Sequence, residues 1–144
     1  MGRGDSIMAL SRQEVQVKWS ASDSTPVSSA STATSDEVSI DATSVARELY
    51  VKADNGGTPA AGDTIEIRIL ANAGDPDADA DSADEFGTSE NAIVVAVLDT
   101  NAEDPVVYGP IPIPFGQSFK VHATNNAASN SITVSAQMNE QLSA

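Results

Sequence analysis

Three features of this 144-residue sequence predict an all-β fold, an antiparallel β-sandwich of jelly-roll or immunoglobulin-like type. Valine and isoleucine total 22 against five leucines, a bias toward β-branched side chains that suit a pleated, half-buried surface. Apolar residues alternate with polar ones in short runs, the period of a strand with one wet face. Clusters rich in Asn, Asp, Gly and Pro separate those runs, and no long segment keeps a helical period.

The elements follow in order. "EVQVKW" turns Val15, Val17 and Trp19 to one side. Residues 20 to 35 contain ten Ser or Thr in sixteen positions and only Val27 as a large apolar residue, so an extended surface connection is expected there. "EVSI" near residue 38 is a short strand, and "ELYVKA" points Leu49, Val51 and Ala53 inward. After the turn "DNGGTPAAGD", the run "DTIEIRIL" places Ile65, Ile67 and Ile69 on one face and Thr64, Glu66 and Arg68 on the other. "AIVVAVL" is apolar on both faces, which predicts a central, covered strand. "PVVY" near residue 107 adds a strand. "SFKVHA" and "SITVSAQM" turn Phe119, Val121, Ala123, Ile132, Val134, Ala136 and Met138 inward. The total is about eight strands, in one domain spanning residues 13 to 144.

"GPIPIPFG" alternates Ile111, Ile113 and Phe115 with Pro110, Pro112 and Pro114. Proline cannot donate to a ladder, so this stretch is expected at a sheet edge or as an extended polyproline-like segment. Its apolar side is expected to dock either on its own core or on a neighbouring subunit.

Composition removes whole classes of function. Cysteine is absent, which excludes disulfides, thiolate metal sites and a cysteine nucleophile. Twenty-one Asp and Glu against seven Lys and Arg give a net charge of −14, which repels nucleic acid and anionic membranes. No apolar run reaches the roughly 20 residues of a membrane helix, and the first residues lack the continuous apolar stretch of a secretory signal, so a soluble chain not exported by its own sequence is expected. The only histidine, His122, shares the solvent side of its strand with Lys120 and Thr124. No Gly-x-Ser-x-Gly elbow accompanies it, and six aromatics are few for a sugar cleft, so no enzyme and no cofactor are expected.

"GDPDADADSADEFG" alternates Asp75, Asp77, Asp79 and Asp81, a set of hard oxygens of the kind that wraps Ca²⁺. The calcium-loop pattern has a glycine after its third Asp and a bidentate Glu at its twelfth position. Ala80 and Phe86 stand there instead, so a solvated acidic loop without a metal is expected. "GRGDS" at residues 2 to 6 matches an integrin-binding pentapeptide, but it lies at the chain terminus rather than on a loop tip. Residues 1 to 12 are better suited to an extended arm, with Arg3, Ile7, Met8, Leu10 and Arg12 gaining affinity by ordering on a neighbouring protein.

The succession of "ARELYVKADNGGTPAAGDTIEIRILANAGDPD", "VLDT", the proline-alternating segment and "NSITVSA" resembles the head decoration, or cement, proteins of tailed bacteriophages. It covers residues 45 to 137 and rests on the order and character of segments. The resemblance implies a virion structural protein, often a homotrimer, that binds the outer surface of a shell built from the major capsid protein. The arm and the edge at Ile111, Ile113 and Phe115 would then supply its contacts. A tail-associated or carbohydrate-binding adhesin is the alternative, and Tyr50 and Tyr108 are its candidate aromatics.

Overall fold

The computed structural model describes residues 9 to 74, 85 to 87, 94 to 99, 105 to 113 and 117 to 143. Among them are eleven strands: β1 (Leu10–Gln16), β2 (Thr25–Val27), β3 (Thr32–Thr34), β4 (Val38–Ser39), β5 (Ser44–Asn55), β6 (Thr64–Gly74), β7 (Glu85–Phe86), β8 (Val94–Val97), β9 (Val106–Pro112), β10 (Ser118–Asn125) and β11 (Ile132–Ser143). Every pairing is antiparallel. One sheet runs β1-β11-β5-β9, with β2 also on β11. The other runs β3-β10-β6-β7, with β4 on β10 and β8 on β6. The fold is an all-β sandwich of two antiparallel sheets, as the alternation predicts.

The core forms where the two inner faces meet. Leu49, Val51, Ala53, Ile132, Val134, Ala136 and Met138 come from the five-stranded sheet, and Ile65, Ile67, Ile69, Phe119, Val121 and Ala123 from the six-stranded one. All are buried, on the faces their period of two assigns them. Val17 and Trp19 are inward too, although β1 ends at Gln16 and Trp19 sits in an isolated bridge with Ser22. Removing large apolar side chains from water at about 25 cal/mol per Å² is the main force joining the layers.

Four expectations are corrected. The Ser/Thr-rich stretch is no surface excursion, because it carries β2 onto β11 of one sheet and β3 onto β10 of the other. Its hydroxyls work in the ladder: the Ser35 Oγ accepts the Val121 N–H at 2.8 Å, the Ser35 N–H donates to the Val121 carbonyl at 2.8 Å, and Ser35 and Val27 are buried. Short polar residues can pair in strands where their side chains satisfy backbone groups. β8 is not a central covered strand. Among the described strands it pairs only with β6, and Val95 and Val97 are exposed while Ala96 and Leu98 are buried. An apolar run does not reveal which of its faces is covered.

The third correction concerns "GPIPIPFG". β9 is an edge strand, but Ile111 and Ile113 are buried in the protein's own core and are not free to dock on a neighbour. β9 continues a sheet whose inner face is already apolar, so the alternation sends the isoleucines inward and leaves Pro110 and Pro112 exposed. Phe115 lies outside the described residues. Fourth, Leu10 and Arg12 belong to β1, opposite Ser143 and Gln141, rather than to an arm. Arg3, Ile7 and Met8 lie outside the described residues.

Candidate functional site

The outer face of the five-stranded sheet carries the most developed surface. β5 sends Glu48, Tyr50 and Lys52 outward, β11 sends Ser135, Gln137 and Asn139, and β1 sends Arg12, Glu14 and Gln16, each by simple alternation with the buried positions. One groove on this face lies between Arg12, Gln16, Tyr50, Lys52, Val107 and Gln137. A second depression shares Arg12 and Tyr50 and reaches Glu48, Asn139 and Gln141. A third is lined by Ser24, Lys52, Asp54 and Ser135.

Tyr50 is the centre of this surface. The β5–β9 register slips between Leu49 and Val51, and Gly109 comes up against the Cδ1–Cε1 side of the ring. A Cβ built on Gly109 would stand 2.5 Å from Tyr50 Cδ1 and 2.9 Å from the Leu49 carbonyl oxygen, and the residue has φ 156°. Only glycine lets the ring settle there. The Tyr50 hydroxyl donates to Glu48 Oε1 at 3.2 Å. Partial burial, then that bond and the neighbouring carboxylate charge, hold the phenol above its ordinary value, so it stays a neutral donor at physiological pH.

The sides of the groove are amides and two cations. Gln16 Nε2 donates to the Ala136 carbonyl at 2.9 Å and Gln137 Nε2 to Asn139 Oδ1 at 2.9 Å, so both amides are oriented. Arg12 pairs with Glu14 at 3.5 Å, both well exposed. Such a face offers donors, acceptors, a ring and mixed charge on a stiff sheet, and can recognise another polar surface by reversible contacts.

Two buried polar groups pin the ends of the sandwich. Asp63 Oδ2 accepts from Asn55 Nδ2 at 2.9 Å, Asn130 Nδ2 at 2.9 Å and the Ala60 N–H at 3.1 Å. Burial pushes Asp63 up, but these three bonds outweigh it and leave the carboxyl below its ordinary value. Elsewhere Glu140 accepts from Gln13 Nε2 at 3.2 Å and the Asp41 N–H at 3.3 Å, which ties β1 and the turn before β5 to β11.

His122 lies on the outer face of the other sheet. Its Nδ1 is 2.8 Å from the hydroxyl of Thr34, its cross-strand partner. Burial and then the Arg68 charge keep the ring below its ordinary value and hence neutral at pH 7. Tyr108, expected outward, packs against the core instead. Asp75, Asp77, Asp79 and Asp81 lie outside the described residues. Among those described, no group of three His, Cys, Asp or Glu side chains could hold a metal ion. No described helix is long and apolar enough to cross a membrane.

Sequence reasoning named Arg12 and Tyr50 but missed Gln16, Lys52, Gln137 and Asn139. The available signal was the wet-face alternation "E-L-Y-V-K", which places Glu48, Tyr50 and Lys52 in one row.

No family model matches the chain, and no curated protein matches it. Among solved structures, a subunit reported under the words "Bacillus endospore appendages form a novel family of disulfide-linked pili" aligns at TM-score 0.39 and 9% identity, over 95% of this chain and 90% of that one. The protein FLHE aligns at TM-score 0.38 and 9% identity, over 94% of this chain and 96% of that one. Likeness at this level carries no functional meaning. The class defined by fold and surface is that of a two-sheet antiparallel β-sandwich with one polar, grooved outer face.

Proposed function

We propose that this chain is a structural protein of a phage head, a decoration protein that docks on the outside of a shell of major capsid protein through the outer face of its five-stranded sheet. The observation that carries the reading is the Tyr50 groove: an aromatic ring packed against Gly109, between oriented amides and the cations Arg12 and Lys52. On a chain of net charge −14, a groove whose charged lining is Arg12 and Lys52 is a local exception suited to an acidic or amide-rich partner surface, even with Glu14, Glu48 and Asp54 elsewhere on the same face. Residues 1 to 8, which precede β1 in the sequence, serve as a second anchor, and "GRGDS" belongs to that anchor rather than to an integrin ligand. The trimer implied by the resemblance loses the support of Ile111 and Ile113, which the core consumes.

A second reading has a specific observation in its favour. A tyrosine lining a polar groove is also a common saccharide contact, so a carbohydrate-binding adhesin would use the same site.

One experiment separates the two readings. Purified protein is co-sedimented with undecorated phage shells and, in parallel, applied to a glycan array. The decoration reading expects saturable shell binding that falls about tenfold or more in Tyr50→Ala and Lys52→Glu, both still folded. Deleting residues 2 to 8 should weaken attachment while leaving β1 intact. Tyr50-dependent glycan binding without shell binding selects the adhesin. Failure of both removes this face as the functional surface.

A further inference from the structure

Exposed strand edges are templates for pairing, and folded proteins usually blunt them. In this protein the edges are treated unequally. β9 is blunted by Pro110 and Pro112, β2 carries Pro26, and β3, β4, β7 and β8 are two to four residues long. β1 is the exception among the described strands. It has seven residues, "LSRQEVQ", with no proline, and its far side pairs with no described strand.

The backbone groups on that free edge can be identified. The Val17 N–H donates to the Ala136 carbonyl at 2.9 Å, so Val17 and, by alternation, Val15, Gln13 and Ser11 direct their backbone groups at β11. The N–H and C=O of Leu10, Arg12, Glu14 and Gln16 therefore face outward along the edge. The same four side chains lie on the outer face of the sheet, Leu10 53% exposed and the Arg12 and Glu14 side chains 66% and 60%.

We propose that β1 pairs antiparallel with β1 of a second copy, about a two-fold axis through Gln13, fusing two five-stranded sheets into one. Charge complementarity selects both the occupant and the register. With Gln13 opposite its own copy, Arg12 lies opposite Glu14 on each side of the axis, and Leu10 lies opposite Gln16. These four pairs are the ones whose backbone groups face each other, so each exchanges two hydrogen bonds. All seven residues are used. Sliding by one hydrogen-bonding step in one direction places Arg12 against Arg12, and in the other Glu14 against Glu14, and like charges directly opposite are destabilising. The strand is thus its own complement in one register only. Such a contact is isologous and closes at two copies, so it does not propagate into fibres. It also brings the two Arg12 side chains, and the Tyr50 grooves they line, onto one continuous face.

Charge and proline substitutions test the pairing by analytical ultracentrifugation of the full chain over a broad concentration range. The wild type is expected to show a monomer–dimer equilibrium. Glu14→Pro removes an N–H that points only outward and should give a folded monomer, because the bonds to β11 come from the odd-numbered residues. Arg12→Glu and Glu14→Arg each set like charges opposite one another in both cross-strand pairs and should weaken the dimer about tenfold or more. Mixing these two variants restores opposite charges across the axis and should restore the dimer, an outcome that misfolding of either variant cannot produce. A wild type that stays monomeric throughout overturns the proposal. A monomer whose Arg12 and Glu14 amides resist hydrogen exchange does so as well, because the chain's own residues would then cover the edge. A trimer, or a dimer indifferent to Glu14→Pro and to charge reversal, places the contact elsewhere and also overturns it.

Discussion

With Asp63 replaced by alanine, the side-chain amides of Asn55 and Asn130 and the N–H of Ala60 lose their common acceptor at a buried end of the sandwich. Asn55 Nδ2 keeps the Leu98 carbonyl and Asn130 Nδ2 the Thr58 carbonyl, but the buried Asn55 amide still loses one acceptor, which costs about 1 to 3 kcal/mol, so Asp63→Ala should lower the denaturation midpoint clearly. The carboxylate also sets a pH dependence. Its folded value lies below the ordinary 3.8, so its contribution is fully present above that value and is lost as pH falls through the lower folded one. Asp63→Asn should therefore be less stable than wild type at neutral pH and should lose less stability on acidification across that window, as read by urea titrations at a series of pH values. At Gly109 the constraint is steric. Its added methyl would meet the Tyr50 ring and the Leu49 carbonyl, so Gly109→Ala should cost about 1 to 3 kcal/mol and displace the tyrosine, detectable as a change in its fluorescence.

At the scale of the element, β9 carries a clear test of where "GPIPIPFG" belongs. Ile111 is 3% exposed and Val107, four residues earlier on the same strand, is 64% exposed. Ile111→Ala should cost about 2 to 5 kcal/mol, measured by thermal or denaturant unfolding, and should not change the oligomeric mass. Val107→Ser should stay within about 0.5 kcal/mol. The opposite pattern, a stable protein that changes mass on loss of Ile111, would return that residue to an intersubunit contact. β8 teaches the same lesson from the other side. "AIVVAVL" is apolar throughout, yet of its described residues Ala96 and Leu98 are buried while Val95 and Val97 stay on the surface of an edge strand.

At the scale of the whole molecule, β11 is the last strand and lies at the middle of its sheet, between β1 and β5. Leu10 pairs with Ser143, so the sheet cannot close until nearly the whole chain is available. Truncation before residue 132 should abolish the cooperative fold, leaving a protease-sensitive chain without the far-ultraviolet signature of a sheet. Folding through such distant pairings is expected to be slow for the chain's size, on a scale of roughly milliseconds to seconds.

The sequence by itself determined the fold class and most of the core, because a period of two assigns each side chain to a face wherever one face is wet. Leu49, Val51, Ile65, Ile67, Phe119, Val121, Ile132 and Val134 are buried as that alternation requires. Tyr50 was legible as an outward aromatic for the same reason, whereas Arg12, expected in an N-terminal arm, reached the same face as part of β1. What only the tertiary structure decided was strand order, and with it everything that depends on neighbours. Whether Ile111 met its own core or another subunit, whether "AIVVAVL" sat at a centre or an edge, and whether the serine-rich stretch paired at all turned on which segments lay beside them. The groove at Tyr50 belongs to that second class. Its walls come from β1, β5, β9 and β11, which are far apart in the chain, and the Tyr50 ring in it packs against Gly109, nearly sixty residues away. Alternation is a local property fixed by backbone geometry, whereas adjacency between strands is settled only when the whole chain has found the arrangement that buries the most apolar surface.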